Sequence, residues 1–317
     1  MGPVIDDETM PLFLINGFLE AGKTQFLQFT MGQDYFQAEG KTLLICCEEG
    51  DTEYDPELLK KTNTILVNVE SMDEISPERL TELELLHNPE RVLMEWNGMW
   101  NQDELRLPKD WEVYQQITII DGSTFDLYVK NMKPLLGAMV RNSELIICNR
   151  CDDVEDLEGY RRTLLAMNNQ AEIVFEDAEG EISEISEADL PYDLSADVTV
   201  IAPEDFGIWY IDCMDKPDRY RGKVVEFTGM VMKSNKFPKN YFVPGRMAMT
   251  CCADDTAFIG FLCKSAYVDR IKSKQWLTVT AKAHIEKRAE YSGQEGLVLQ
   301  STNIKSAEKP EEELVYF

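Results

Sequence analysis

Residues 17–24 read Gly17-Phe18-Leu19-Glu20-Ala21-Gly22-Lys23-Thr24. They fill every fixed position of the pattern G-x-x-x-x-G-K-[ST]. Pro11-Leu12-Phe13-Leu14-Ile15 ahead of them is an apolar run of strand length, and Gln25-Phe26-Leu27-Gln28-Phe29 behind them carries apolar residues at helical spacing. Strand, glycine loop and helix form a phosphate cradle. The glycines let the chain curl so that backbone N–H groups converge on phosphate oxygens, and the helix adds its positive N-terminal end. Lys23 then reaches the β- and γ-phosphates, and the Thr24 hydroxyl holds Mg²⁺. The residues from Gly17 to Gln25 are the candidate nucleotide-binding loop.

Outward from this loop, apolar strand-length runs alternate with helical stretches. Lys41–Cys47, Thr64–Val69, Arg91–Glu95, Gln116–Asp121, Glu144–Cys148 and Ala171–Phe175 read as strands. Residues 77–87, 123–141 (broken or kinked near Pro134) and 155–168 read as helices. Such alternation predicts an α/β fold with a mostly parallel sheet covered on both faces, and ligands bound at the carboxyl ends of the strands. Gly17, Glu48, Glu95 and Asn149 all stand at such ends, so four separated segments are expected to meet.

The chain of 317 residues is long enough for two domains. Net charge is -27, and it is unevenly placed. Residues 1–200 hold 14 Lys and Arg against 42 Asp and Glu, whereas residues 201–317 hold 17 against 16. The shift predicts a domain change near residue 200. We read residues 1–10 as an acidic lead-in, 11–176 as the nucleotide domain, 177–203 as a hairpin and linker, and 204–317 as a β domain. The acidity excludes a broad nucleic-acid-binding face. No apolar run spans a bilayer and no signal-peptide core is present, which predicts a cytosolic protein. Its eight cysteines are then thiols, for packing or metal ligation.

Asn149-Arg150-Cys151-Asp152 is a variant of the guanine-reading pattern N-K-x-D. The Asp152 carboxylate would accept hydrogen bonds from guanine N1–H and the 2-amino group, a donor pair that adenine lacks. Arg150 can lay its planar head on the base. Glu95 stands where a strand-end acid holds Mg²⁺ through water or orients an attacking water. Glu48, Glu49, Asp51 and Asp55 form an acidic loop suited to placing Mg²⁺ or water and to sensing the γ-phosphate. The candidate catalytic residues are therefore Lys23, Glu95 and Asp51, and the candidate Mg²⁺ ligands are Thr24, Glu48 and Glu95.

These motifs, in this order, resemble the CobW-like GTPases over residues 10–176. Gly17–Thr24 is similar to that family's G-F-L-G-x-G-K-T loop. Residues 47–55 are similar to its N-E-F-G-E-x-G-I-D, Glu95-Trp96-Asn97-Gly98 to its E-x-x-G, and Asn149–Asp152 to its N-K-x-D. The resemblance implies a P-loop domain of the SIMIBI class, slow GTP hydrolysis with Mg²⁺, and delivery of metal ions to client proteins. The family's C-x-C-C metal motif has no counterpart between Cys47 and Glu95.

The second half reads differently. Val224–Met232, Phe242–Cys252, Ala257–Cys263, Trp276–Ile285 and Gly296–Ile304 are strands, with a short helix over Ala266–Lys274. That order suits a five-stranded barrel of the OB type. Near-neutral charge and the lack of dense aromatic and basic interleaving argue against oligonucleotide binding there. Pro217–Lys223, Phe237–Asn240 and Met249–Asp254 resemble the C-terminal domain of YcgQ-like bacterial proteins, which are encoded beside predicted membrane permeases. The resemblance implies a metal-homeostasis association and no reaction. Cys251, Cys252 and Cys263, with Asp254 and Asp255, are a candidate Zn²⁺ site, weighed against small buried residues in a tight barrel. The sequence thus predicts a GTP-hydrolysing switch in metal trafficking. The competing readings are a non-catalytic module that docks a permease or other partner, and an ATPase.

Overall fold

A computed structural model describes residues 9–48, 50–182, 190–249, 256–291 and 293–316. The chain forms two compact units, residues 1–157 with 170–186 and residues 158–169 with 187–317.

In the first unit the elements run β1 (Met10–Asn16), α1 (Lys23–Met31), β2 (Lys41–Cys46), α2 (Pro56–Lys61), β3 (Thr64–Asn68), α3 (Pro77–His87), β4 (Pro89–Glu95), β5 (Trp111–Asp121), α4 (Phe125–Val140), β6 (Leu145–Asn149), α5 (Leu157–Met167), β7 (Glu172–Asp177) and β8 (Gly180–Glu181). Strand order is β3-β2-β4-β1-β5-β6-β7-β8. All pairs are parallel except the hairpin β7–β8, which closes at Asp177↔Gly180. Burial on both faces explains why the strands read as unbroken apolar runs. Leu12 and Leu14 enter one core with Leu43, Ile45, Val92, Met94 and Leu80. Ile15, on the opposite face, joins Leu27, Leu44, Leu93, Ile117 and Ile147. Helix α3 opens on Ser76, whose hydroxyl accepts from Arg79 N–H, and closes on Asn88 in the left-handed region. Pro134 lies inside α4, and the helix breaks at Met132 (φ -135°, ψ 28°).

In the second unit the elements are β9 (Thr199–Val200), α6 (Phe206–Asp215), β10 (Val224–Met232), β11 (Tyr241–Met249), β12 (Thr256–Gly260), β13 (Cys263–Lys264), β14 (Trp276–Lys287), β15 (Glu295–Ser306) and β16 (Leu314–Tyr316). Pairings run β10–β11–β13–β15–β14 and return to β10. Trp209, Phe206, Phe227, Phe242 and Val279 fill the core beside them. Most of α5 belongs with this unit, where Glu158 pairs with Lys216 and Arg161 with Asp215. A single boundary near residue 200 is therefore too simple. The chain enters the second unit at residue 158, returns to give β7 and β8, and leaves again.

The short helix expected over Ala266–Lys274 is a single 3₁₀ turn, Val268–Arg270. Tyr267, Val268 and Ile271 are weak helix formers. Lys274 adopts φ 64°, and its N–H donates to Val231 O instead of continuing a helix. No helix among the described residues is long and apolar enough to cross a membrane.

Candidate functional site

Strand order places β1 between β4 and β5, so the chain turns left and right from the phosphate-loop strand, and the carboxyl ends on either side open a crevice. Register brings Ile15 opposite Glu95, Cys46 opposite Glu95, and Asp121 opposite Asn149. Three of the four expected segment ends are thus fixed by the ladder, and Glu48 follows β2 by two residues.

The loop adopts the curl that its glycines predict. Gly17 has φ 143° and Gly22 φ 101°, values that glycine accepts readily. A Cβ on Gly22 would stand 2.8 Å from Asn149 Nδ2, and one on Gly98 would stand 2.2 Å from Gly17 O. The fourth position of Glu95-Trp96-Asn97-Gly98 is therefore glycine because the phosphate loop lies directly against it. Helix α1 begins at Lys23, so the N–H groups of its first turn have no intrahelical acceptor and face the curl.

Lys23 is 3% exposed. Its Nζ donates to Gly17 O and Phe18 O, each at 2.9 Å, and to the Glu48 carboxylate. Thr24 Oγ1 donates to Glu95 Oε1 at 2.9 Å, and the Tyr54 hydroxyl donates to Glu95 Oε2. Burial pushes the Glu95 carboxyl up, while the hydrogen bonds from Tyr54 and Thr24 and the Lys23 charge pull it down. Tyr54 was not expected from the sequence. The one signal was a hydroxylated aromatic where the resembling pattern has isoleucine.

The acidic loop is latched to the phosphate loop and α1. Glu20 Oε1 accepts from Asp51 N–H at 3.0 Å, Gln25 Nε2 donates to Thr52 Oγ1 at 3.0 Å, and Gln28 Oε1 accepts from Asp55 N–H at 2.8 Å. Asp51 contributes its backbone; its side chain is exposed and is not hydrogen-bonded to Lys23, Thr24 or Glu95. The space among Gly22, Lys23, Thr24, Glu48, Thr52 and Glu95 is a cavity of about 20 Å³, and a second cavity of about 600 Å³ is lined by Thr24, Cys47, Glu48, Tyr54 and Asn97.

At the other end, Asn149 Nδ2 donates to Ala21 O at 2.8 Å, and Arg150 donates to Glu20 O at 2.9 Å and pairs with Asp121. Arg150 adopts φ 53° to make that turn. Asp152 Oδ1 accepts from Ala178 N–H at 3.0 Å, which ties the Asn149–Asp152 turn to the β7–β8 hairpin. Asn149, Arg150, Asp152 and Ala178 rim a cavity of about 790 Å³ with Ile117, Ile119 and Ile147 on its floor. Asn149 Oδ1 is buried without a hydrogen-bond partner among the described residues. Phe18 stacks on Tyr128 of α4 at 3.8 Å between ring centroids.

Burial pushes the Cys46 thiol up to about 11 and Cys47 higher still, so both are protonated at neutral pH in the absence of a metal. Cys151 donates to Cys148 O at 3.2 Å, and both thiols are raised by burial. They pack as core residues. Of the candidate Zn²⁺ ligands, Cys251 and Cys252 lie outside the described residues, as do Asp254, Asp255 and the acidic-loop Glu49. Cys263 is buried in β13 and pushed up to about 12 by burial. Among the described residues no group of three His, Cys, Asp or Glu side chains is placed to hold a metal ion.

Fold and site together define a P-loop nucleotide-binding domain. A family model described as "CobW/HypB/UreG, nucleotide-binding domain" matches residues 11–175, and the chain belongs to that family. A second model, described as the DUF1980 C-terminal domain, matches residues 179–317. No curated protein matches the chain. Among solved structures it is similar to the hydrogenase maturation factor HypB from Archaeoglobus fulgidus (16% identity, 54% of this chain and 83% of that chain, TM-score 0.40). It is also similar to HypB from Helicobacter pylori in complex with nickel (14% identity, 54% and 80%, TM-score 0.37). A third is Zn(II)-bound YjiA GTPase from E. coli (14% identity, 84% and 92%, TM-score 0.41).

Proposed function

We propose that the first unit binds and hydrolyses GTP as a switch in metal-ion trafficking, and that the second unit is an OB-like domain that docks a partner. The observation that carries this reading is the meeting of Lys23, Thr24, Glu95 and the Asn149–Asp152 turn at one end of a parallel sheet. Membership of the CobW/HypB/UreG family supports both the nucleotide and the metal task. The returning strand pairings of the second unit support the OB-like reading.

Each residue has a task that its position suits. Asp152 accepts from the guanine edge, while Ala178 N–H holds its carboxylate in place. Asn149 and Arg150 tie the base-reading turn to the phosphate loop, so base and phosphates are gripped as one unit. The Lys23 ammonium, fixed by Gly17 O and Phe18 O, offers its charge to the phosphates once Glu48 yields it. Thr24 and Glu95 are hard oxygen donors already in contact, and they would hold Mg²⁺, which would supply positive charge against the charge developing on the phosphates. Tyr54 keeps Glu95 aimed at Thr24. Asp51, Thr52 and Asp55 are held against the phosphate loop and α1, and displacement of this segment is the switch movement.

Turnover tests the reading. Wild-type protein, supplied with GTP, Mg²⁺ and in turn zinc, cobalt or nickel, is expected to release phosphate faster than the Lys23→Ala variant. Equal rates in every condition would reject the enzyme and leave a binding module.

A further inference from the structure

The second unit has a strand edge that no described strand pairs with. β15 pairs with β14 along its length, but on its other side it meets β13 only at Leu299 and Gln300. Beyond Gln300, that outer edge pairs with no described strand. Beside this edge, Tyr267, Arg270 and Ile271 at the 3₁₀ turn Val268–Arg270 line a cavity of about 440 Å³ together with β15 residues. Ile271, Leu277 and Ile304 give it an apolar wall, and Thr302, Asn303 and Ser306 line the strand side. Register shifts at Thr280/Ala281, so Thr302 is an extra residue on β15. Such bulges re-aim side chains and interrupt pairing.

The rim is basic within a chain of strongly negative charge. Arg270 lines the cavity, while Lys272, Lys274 and Lys305 adjoin its lining residues Ile271, Gln275, Ile304 and Ser306 in sequence; all four are exposed, and among the described residues none takes part in an ion pair. Asp269 is the one carboxylate within the turn. Tyr267 is 57% exposed, with the Arg270 guanidinium 5.9 Å from its ring centroid.

We propose that this edge docks an extended acidic peptide segment of a partner protein. The segment adds as a strand along residues 302–306, sets an apolar side chain into the cavity, and places carboxylates against Arg270, Lys272, Lys274 and Lys305. Backbone pairing with an open edge supplies affinity, alternate side chains supply selectivity, and the charges fix sign and orientation. A single-stranded nucleic acid fits less well. It needs a row of aromatic faces for its bases, and Tyr267 is the one exposed aromatic lining this cavity. The inference does not depend on the nucleotide reading of the first unit.

The test uses the full chain and a fluorescein-labelled peptide of alternating Glu and Val. Controls are its backbone N-methylated copy, a Lys–Val copy and a single-stranded oligonucleotide. The acidic peptide is expected to bind, and salt to weaken it. Arg270→Glu combined with Lys305→Glu, both exposed positions, is expected to weaken binding about tenfold or more. N-methylation should do the same, and amide exchange over residues 302–306 should slow on binding. Four results would each overturn the assignment: no binding of the acidic peptide; equal binding of the Lys–Val or N-methylated copy; displacement of the acidic peptide by the oligonucleotide; or self-association of the chain that the double substitution abolishes, which would make the occupant a second copy.

Discussion

Glu48→Gln isolates the contact that decides whether the phosphate cradle opens. Lys23 Nζ has three acceptors, two of them carbonyls at 2.9 Å and the third the Glu48 carboxylate. That ion pair is nearly dry, with side-chain exposures of 2% and 7%. A nucleotide must take the ammonium from Glu48, so the affinity observed is the intrinsic affinity less the free energy of that contact. A hydrogen bond to a charged partner is worth about 2 kcal/mol. Glutamine keeps the shape and an acceptor oxygen but not the charge. The substitution should therefore tighten GDP binding by about 30-fold. It should also lower the stability of the protein without nucleotide by about 2 kcal/mol, because Lys23 keeps only neutral acceptors. The assay is calorimetric titration with GDP in EDTA, where any Mg²⁺-binding task of Glu48 drops out, paired with urea unfolding without nucleotide. Unchanged or weaker GDP binding would refute the competition, even if stability fell as expected.

Other substitutions test neighbouring contacts. Gly98→Ala places a methyl 2.2 Å from Gly17 O and should destabilise the first unit by about 3 kcal/mol while weakening nucleotide binding, as read by urea unfolding and titration. Tyr54→Phe removes one of the two donors to Glu95; GTP turnover should fall about tenfold with GDP affinity in EDTA unchanged. In the second unit, Tyr220→Phe deletes the hydroxyl that donates to Asp212 and bonds Tyr192 at 2.7 Å. Unfolding should show a loss of about 2 kcal/mol, with nucleotide binding intact.

Much of the first unit is legible in its sequence because parallel strands buried on both faces must be apolar throughout, and loops that curl around phosphate must use glycine. The α3 expectation coincides with the helix found, since its leucines stand at helical spacing and Pro77 sits in its first turn. Pro134 marks the α4 kink for the same local reason. Helix α6 had no readable signal. Phe206, Trp209, Ile211 and Cys213 bury nearly every side of it, so no polar face sets a period. The partition of α5 was illegible too, because it rests on Glu158 and Arg161 finding Lys216 and Asp215 more than fifty positions away. Within the site, motif spacing named Lys23, Thr24, Glu95 and Asp152, but not their partners. Tyr54 on Glu95 and Glu48 on Lys23 are contacts between a loop and buried charges, and a loop's closure is set by tertiary packing. The Pro217–Lys223 fingerprint gains a physical reason only in three dimensions: Tyr220 is fully buried and Arg219 neutralises Asp212 beside it.

The account rests on guanine being read by Asp152 while the phosphate loop holds the phosphates. Calorimetric titration of wild type and Asp152→Asn with a non-hydrolysable GTP analogue and its ATP counterpart measures this directly. Wild type is expected to prefer the guanine analogue by at least about a hundredfold, and Asp152→Asn to erase most of that preference without altering ATP-analogue binding. Equal affinities in wild type, or a preference that survives Asp152→Asn, would contradict it.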